Sequence, residues 1–309
     1  MNRQQRRRVL LLLHPRRLEA VHLGHEVIGH LTTAGVDVVV DQPGAELLGS
    51  PLPVGVHLAD PEQPSAGCEL VLVLGGDGTI LRGAELSRGS DVPLLGVNLG
   101  HVGFLAESEK EDALETVERI LHRDYRVEDR MTLDVRSFVG GHPLFHTWAL
   151  NEASVEKGAR ERMLELTVEI DGRPMSTWGC DGVVMATPTG STAYAFSAGG
   201  PVMWPDVDAM LMVPISAHAL FARPIVVGPR SRLAVEVLSD NEGFGVLWCD
   251  GRRALELPAG ARIEVCRSDQ AVRLVRLTSE PFTDRLVAKF DLSIHGWRGS
   301  GRQRSNGGG

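Results

Sequence analysis

The 309-residue chain is long enough for one large or two ordinary domains with cores of their own, so folding needs neither disulfides nor a structural metal. A formal net charge of −8 excludes broad, sequence-blind binding to nucleic acid, which requires a basic surface to displace phosphate counterions. The four cysteines are scattered singly, without a C-x-x-C pair or a zinc-spaced Cys/His set, which suits a cytoplasmic protein, and no apolar run reaches the ~18 residues of a membrane span.

In chain order, residues 9–13 form an apolar run behind Arg6, Arg7 and Arg8. The run is too short for a signal peptide and is closed by His14 and Pro15, so it reads as a buried first strand behind a frayed, solvated terminus. Leu18, Val21, Ile28 and Leu31 share one helical face, Gly35 ends that helix, and residues 36–40 give a second strand. Residues 42–67, rich in Pro and Gly, read as a long surface excursion rather than a packed element. Order returns with an apolar strand over 70–74, a glycine loop, a helix over 79–87 and a strand over 94–97. Ala113, Leu114, Val117, Ile120 and Leu121 then mark a further amphipathic helix. Strands alternating with helices predict a parallel sheet.

Beyond residue 125 the apolar period changes to two, as in Met131, Leu133 and Val135 and again in Leu233, Val235 and Val237. Turns at Gly140-Gly141, Asp171-Gly172 and Asp250-Gly251 separate these runs, as antiparallel strands require. The expected fold class is α/β plus β. A Rossmann-like α/β domain over 1–125 carries the glycine loop and is completed by about 284–297, where residues 290–294 offer a strand that pairs back onto it. An all-β domain covers 126–283 and a disordered tail 298–309.

The chemistry concentrates where the strand over 70–74 runs into Gly75-Gly76-Asp77-Gly78-Thr79 and then a helix. Ligands of open α/β sheets sit at the carboxyl ends of strands. Glycines let backbone N–H groups approach an anion, and the helix N-terminus adds partial positive charge, so the loop suits phosphate. Arg82, one turn into the helix, can supply a full charge. Asp77 faces that phosphate as a misfit unless it takes a proton from an acceptor hydroxyl or helps to hold a bridging cation, both of which belong to phosphoryl transfer. A plain helix cap is the bland alternative, and it leaves the surrounding glycines unexplained. Neither a G-x-G-x-x-G nor a Walker motif occurs.

A second glycine-rich stretch runs from Asp181-Gly182 to Tyr194. Thr189, Ser191 and Thr192 can hold a phosphate or sugar and Tyr194 offers a face for a base, although each hydroxyl alone fits an ordinary turn. Asn151-Glu152 pairs an amide that can read a base edge with a carboxylate that can accept ribose hydroxyls, against the alternative of a simple strand-end turn. Asp181 reads either as a hairpin aspartate or as a ligand carboxylate. His22, His25 and His30 lie along the first helix without a carboxylate at metal-site spacing and read as a solvated face.

With these residues assembled, the chain resembles the bacterial, actinobacterial-type NAD kinases. The resemblance spans roughly residues 9–295 in the family's order. It is carried by Gly75-Gly76-Asp77-Gly78-Thr79 with Leu81-Arg82, Asn98-Leu99-Gly100-His101-Val102-Gly103-Phe104-Leu105, Asn151-Glu152, Asp181-Gly182, the segment from Pro188 to Tyr194, Ser197-Ala198-Gly199-Gly200-Pro201 and Ala222-Arg223-Pro224. The first motif is shared with lipid kinases and phosphofructokinases; the stretch from 181 to 201 separates the NAD kinases from them. The resemblance implies transfer of the γ-phosphoryl group of ATP, or a phosphoryl group of polyphosphate, to the adenosine 2′-hydroxyl of NAD, with Mg²⁺ accompanying the triphosphate. It makes Asp77 the base and places Gly76, Gly78 and Arg82 in the phosphate site. Asn151, Glu152, Thr192, Ala193, Tyr194 and Ser197 would surround the adenosine, Asp181 would lie near the dinucleotide, and Arg162 would contact phosphate. Arg252 would make a further substrate contact, at a position where many relatives carry Gln. A homodimer or homotetramer is implied as well, with no nucleic-acid or membrane partner.

Overall fold

The structure, a computed structural model, describes residues 6–100, 103–158, 163–238 and 244–293. The expected tail over 298–309 lies outside them. Arg8–Leu13 pairs in parallel with Asp37–Val40 on one side and Leu70–Leu74 on the other. The sheet runs from Val56–Leu58 through Asp37–Val40, Arg8–Leu13, Leu70–Leu74, Leu94–Asn98 and Val272–Arg276 to Arg126–Arg130. Strands covered on both faces carry apolar side chains at successive positions, and Val9, Leu10, Leu11 and Leu70 to Leu74 are all fully buried.

Helix α1 (Leu18–Thr33) buries Ala20, Gly24, Val27, Ile28 and Leu31. Leu18, expected on that face, is 79% exposed, because the buried stripe starts two residues later. Residues 42–67 are not an unpacked excursion: they contain α2 (Gln42–Leu48) and the edge strand Val56–Leu58. Asp41 caps α2 by accepting the Gly44 N–H at 2.9 Å, and Pro43 sits in the first turn, where its missing N–H is harmless. A seven-residue helix is too short to show a period, so composition misled there. Helix α3 (Asp77–Ser87) begins within the glycine motif itself, and α4 (Ala113–His122) buries Ala113, Thr116, Val117 and Ile120.

The β region forms two six-stranded antiparallel sheets. Glu152–Lys157, Gly182–Ala186 and Gly245–Cys249 lie in one, Leu133–Val139, Leu164–Ile170 and Ala261–Arg267 in the other, and both contribute to one core around Trp178. The turns at Gly140-Gly141, Asp171-Gly172 and Asp250-Gly251 all have positive φ at both residues, the conformation that two-residue hairpins demand. One helical turn, α5 (Tyr194–Ser197), follows Gly182–Ala186, and α6 (Phe282–Phe290) follows the last strand. Phe290 closes that helix instead of opening a strand. By contacts the chain separates into an α/β unit of residues up to 80, 95–126 and 275 onward, and a β unit of 81–94 and 127–274.

Candidate functional site

In the α/β unit the glycines of the loop have different reasons for being glycine. Gly75 is still tied to the sheet, donating to Val97 O at 2.9 Å, and a Cβ there would meet Thr79 Oγ1 at 2.5 Å. Gly76 and Gly78 have ordinary φ and open space around the Cβ position. Neither packing nor backbone conformation requires glycine at those two positions. What the missing side chains provide is bare backbone at the N-terminus of α3, where the first N–H groups lack intrahelical acceptors.

Asp77, partly buried, is held by backbone. Phe104 N–H donates to its Oδ2 at 3.3 Å and Leu105 N–H to its Oδ1 at 3.2 Å. Gly103 permits this approach, since a Cβ there would stand 2.5 Å from Asp77 Oδ1. Among the described residues no group of three or more His, Cys, Asp or Glu side chains can hold a metal ion, and His22, His25 and His30 are exposed. A magnesium carried by a triphosphate needs only one or two protein carboxylates, and Asp77 is a donor of that kind beside the bare amides.

In the β unit the Asn151-Glu152 turn is organised by Asp250, which lies about a hundred residues away in sequence and which local reading took only for a hairpin residue. Asp250 Oδ2 accepts the Leu150 N–H at 2.9 Å, and Oδ1 accepts those of Asn151 at 2.7 Å and Glu152 at 3.3 Å. Arg253 Nη2 pairs with Asp250 Oδ2 at 2.8 Å, while Arg253 Nη1 reaches Glu85 at 3.1 Å and its guanidinium stacks on Trp148 at 4.6 Å. Burial pushes the Asp250 carboxyl upward, and the three N–H donors and Arg253 pull against it. No local signal marks Asp250 or Arg253, because the Asp-Gly hairpin fully accounts for the aspartate in sequence.

Glu152 is 8% exposed, and its Oε2 is buried without a hydrogen-bond partner. Burial, with Asp250 adding repulsion, pushes its carboxyl up to about 8, although the Tyr194 N–H donates to it. A buried oxygen of this kind favours a ligand hydroxyl as partner. The turn itself is clamped by the second glycine-rich segment. Thr187 Oγ1 donates to Leu150 O at 2.6 Å, and a Cβ on Gly190 would fall 2.0 Å from Asn151 O.

The expected hydroxyl cluster divides on inspection. Ser191 is fully buried, donating to Pro188 O at 2.7 Å and accepting the Met203 N–H at 2.9 Å, so it braces the segment and is not available to a ligand. Thr192 is partly buried and donates to Thr189 O at 3.2 Å; Ala193 is partly buried, and Tyr194 and Ser197 are exposed. Tyr194 Oη donates to Glu156 at 3.3 Å, and burial together with that carboxylate raises the phenol to about 12. Asp181 is not a hairpin residue, since the strands Arg173–Cys180 and Gly182–Ala186 on either side belong to different sheets. It pairs with Lys157 at 2.5 Å, which holds its carboxyl below the usual range. Arg252 is engaged by Glu85 at 3.0 and 2.9 Å, Arg82 sits partly buried in α3, and Arg162 and His101 lie outside the described residues.

Residues 9–125 match the family model of the ATP-NAD kinase N-terminal domain, and residues 150–277 that of the ATP-NAD kinase C-terminal domain. The chain is 56% identical over 313 residues to the NAD kinase of Thermobifida fusca, spanning 97% of this chain and 94% of that protein. It is 58% identical over 295 residues to the NAD kinase of Leifsonia xyli, spanning 95% and 97%. Among solved structures, yeast NADH kinase complexed with NADH matches with a TM-score of 0.84 at 26% identity, covering 95% of this chain and 90% of that one. An Archaeoglobus fulgidus NAD kinase in complex with ATP, at 24% identity and a TM-score of 0.68 over 92% of this chain and 98% of its own, shares the fold.

Proposed function

The chain belongs to the ATP-NAD kinase family, and from that premise we propose that it transfers the γ-phosphoryl group of ATP to the adenosine 2′-hydroxyl of NAD, giving NADP and ADP, with Asp77 as the base. The observation that carries the acceptor assignment is the Asn151-Glu152 turn, with its buried and unpartnered Glu152 Oε2. A ribose would supply the hydroxyl that oxygen lacks, and the Asn151 amide would read the base edge from a turn whose backbone is held by the three Asp250 contacts. Thr192, Ala193, Tyr194 and Ser197 complete this pocket in our reading, with Asp181 near the rest of the dinucleotide and Arg162 on phosphate.

In the α/β unit the bare amides at Gly76 and Gly78 suit the transferred phosphate, and Arg82, further along α3, is our candidate for a phosphate-binding cation. A ribose hydroxyl is a weak acid, so Asp77 takes its proton late, as the bond to phosphorus forms. Phe104 and Leu105 N–H fix the carboxylate for that step. When bound, Mg²⁺ would neutralise the charge of the triphosphate it accompanies, leaving Asp77 to act as the base. The remaining work is positioning and charge stabilisation.

No helix among the described residues is long and apolar enough to cross a membrane. The same reading assigns the protein to the cytoplasm, in keeping with four cysteines all held as thiols, and to a homodimer or homotetramer, which light scattering tests. The activity is tested by incubating the purified chain with Mg²⁺, NAD and either ATP or polyphosphate, then assaying NADP with an NADP-specific dehydrogenase. NADP formation is the expected result. Phosphorylation of a lipid without any NADP overturns the proposal.

A further inference from the structure

We propose that Arg285 of α6 is a positioning residue for the Asp77 carboxylate, acting through the peptide unit that joins Phe104 to Leu105. The inference rests on the phosphotransfer reading above, in which Asp77 receives the acceptor proton. The N–H of that peptide donates to Asp77 Oδ1 at 3.2 Å, and its C=O accepts from Arg285 Nη1 at 3.4 Å. The same Nη1 donates to the Ala106 carbonyl at 2.8 Å, which anchors the guanidinium against the segment. Guanidinium, peptide and carboxylate thus form one chain of hydrogen bonds, in which the cation on the carbonyl side polarises the N–H that meets the anion. Rotation of the peptide plane is the motion that would swing this N–H away from Asp77, and Arg285 restrains it from the opposite edge.

Arg285 is itself held in place. Its Nη2 pairs with Glu107, whose side chain is 1% exposed. Glu107 also takes Arg276 Nη1 at 2.6 Å and the backbone N–H groups of Leu277 at 2.9 Å and Thr278 at 3.2 Å. The docking of α6 has a separate basis, because Phe282 and Phe290 both lie against the Phe104 ring, with centroids 5.9 and 5.8 Å apart. Truncating Arg285 therefore leaves Glu107 three donors and leaves the ring contacts intact. An arginine serving only to hold the helix would need no more than Glu107 and the rings. The contacts to two carbonyls in the segment beneath Asp77 are what such a role leaves unexplained.

The test compares wild type with Arg285→Ala and Arg285→Lys by steady-state kinetics with ATP, Mg²⁺ and NAD, by thermal melting, and by hydrogen exchange at the Leu105 amide. The lysine variant keeps the charge and the Glu107 partner, so it folds even where the alanine variant does not. The expected result is a kcat lowered about 10- to 100-fold in Arg285→Ala, with an intermediate value in Arg285→Lys and a KM for NAD within about twofold of wild type. Millimolar guanidinium ion, below denaturing levels, restores part of the alanine variant's kcat. An unchanged kcat in either folded variant overturns the proposal, as does a loss that follows the melting curve and that guanidinium does not relieve. Hydrogen exchange reads the clamp without turnover: faster exchange at Leu105 supports it and unchanged exchange overturns it. A wild-type chain that makes no NADP thus sinks the phosphotransfer reading while the exchange measurement still decides the clamp.

Discussion

In the α/β unit backbone holds a carboxylate, whereas in the β unit a carboxylate holds backbone. Asp77 accepts the Phe104 and Leu105 N–H groups at 3.3 and 3.2 Å and stays partly exposed. Asp250 accepts three N–H groups, the shortest at 2.7 Å, is joined by Arg253 at 2.8 Å, and is buried. Both aspartates make the same kind of bond, and burial and the number of donors separate their roles. Long bonds to an accessible carboxylate aim it and leave it free to meet a proton. More numerous bonds to a buried one, the shortest at 2.7 Å, fix the chain around it.

The largest effect expected from this contrast comes from Asp77→Asn, which keeps the size of the side chain and removes the proposed base. Turnover measured as NADP formation should fall by about 10²- to 10⁴-fold, with the fold and most NAD binding retained. Equal kcat in that variant would remove Asp77 from the base role and dissolve the comparison. Asp250→Ala should act in the opposite way. It strands three N–H groups and takes from Arg253 one of its two carboxylate partners, so stability from urea unfolding should drop by about 3–5 kcal/mol, with KM for NAD rising more than kcat falls. A folded Asp250→Ala with wild-type KM would show that the Asn151-Glu152 turn needs no such anchor.

Gly190→Ala probes the same turn from its other side, where a Cβ would fall 2.0 Å from Asn151 O. Because that neighbour is backbone, the turn must shift, and a cost of about 1–3 kcal/mol with weaker NAD binding is expected by calorimetry. Glu152→Gln has the most distinctive pH dependence. Glu152 titrates near 8 in the folded chain against an ordinary value of 4.5, so the folded state binds the proton more tightly than the unfolded state. Stability is therefore fullest below about pH 4.5 and declines as pH rises toward about 8. Urea midpoints at pH 5 and pH 8.5 should differ less in Glu152→Gln than in wild type, by the equivalent of about 1–3 kcal/mol. Identical slopes in the two proteins would place a second carboxylate, such as Asp250, in charge of the pH response.

Sequence was most informative where function and local conformation share a few neighbouring residues. An apolar run ending in Gly75-Gly76-Asp77-Gly78 before a helix can be read without any distant partner, since strand, bare amides and helix N-terminus are consecutive. The hairpins at Gly140-Gly141 and Asp171-Gly172 follow for the same reason. Helix α2 did not emerge from composition, because one capping aspartate and a proline in the first turn formed it against a Pro/Gly-rich background. Ser191 looked like a ligand group, and only its burial and its bonds to Pro188 and Met203 assign it to bracing.

By itself, then, the sequence determined the order of the α/β and β regions, the strand–glycine loop–helix arrangement and the carboxylate within that loop, since each depends on period or on adjacent residues. The tertiary structure alone decided which groups control that carboxylate and its counterpart. Leu105 reaches Asp77 across 28 positions, Arg285 reaches the Phe104 carbonyl across 181, and Asp250 reaches Leu150 across 100. Chain closure over such lengths leaves no local period and no local composition bias, so contacts of this kind exist only once the sheets and helices have packed.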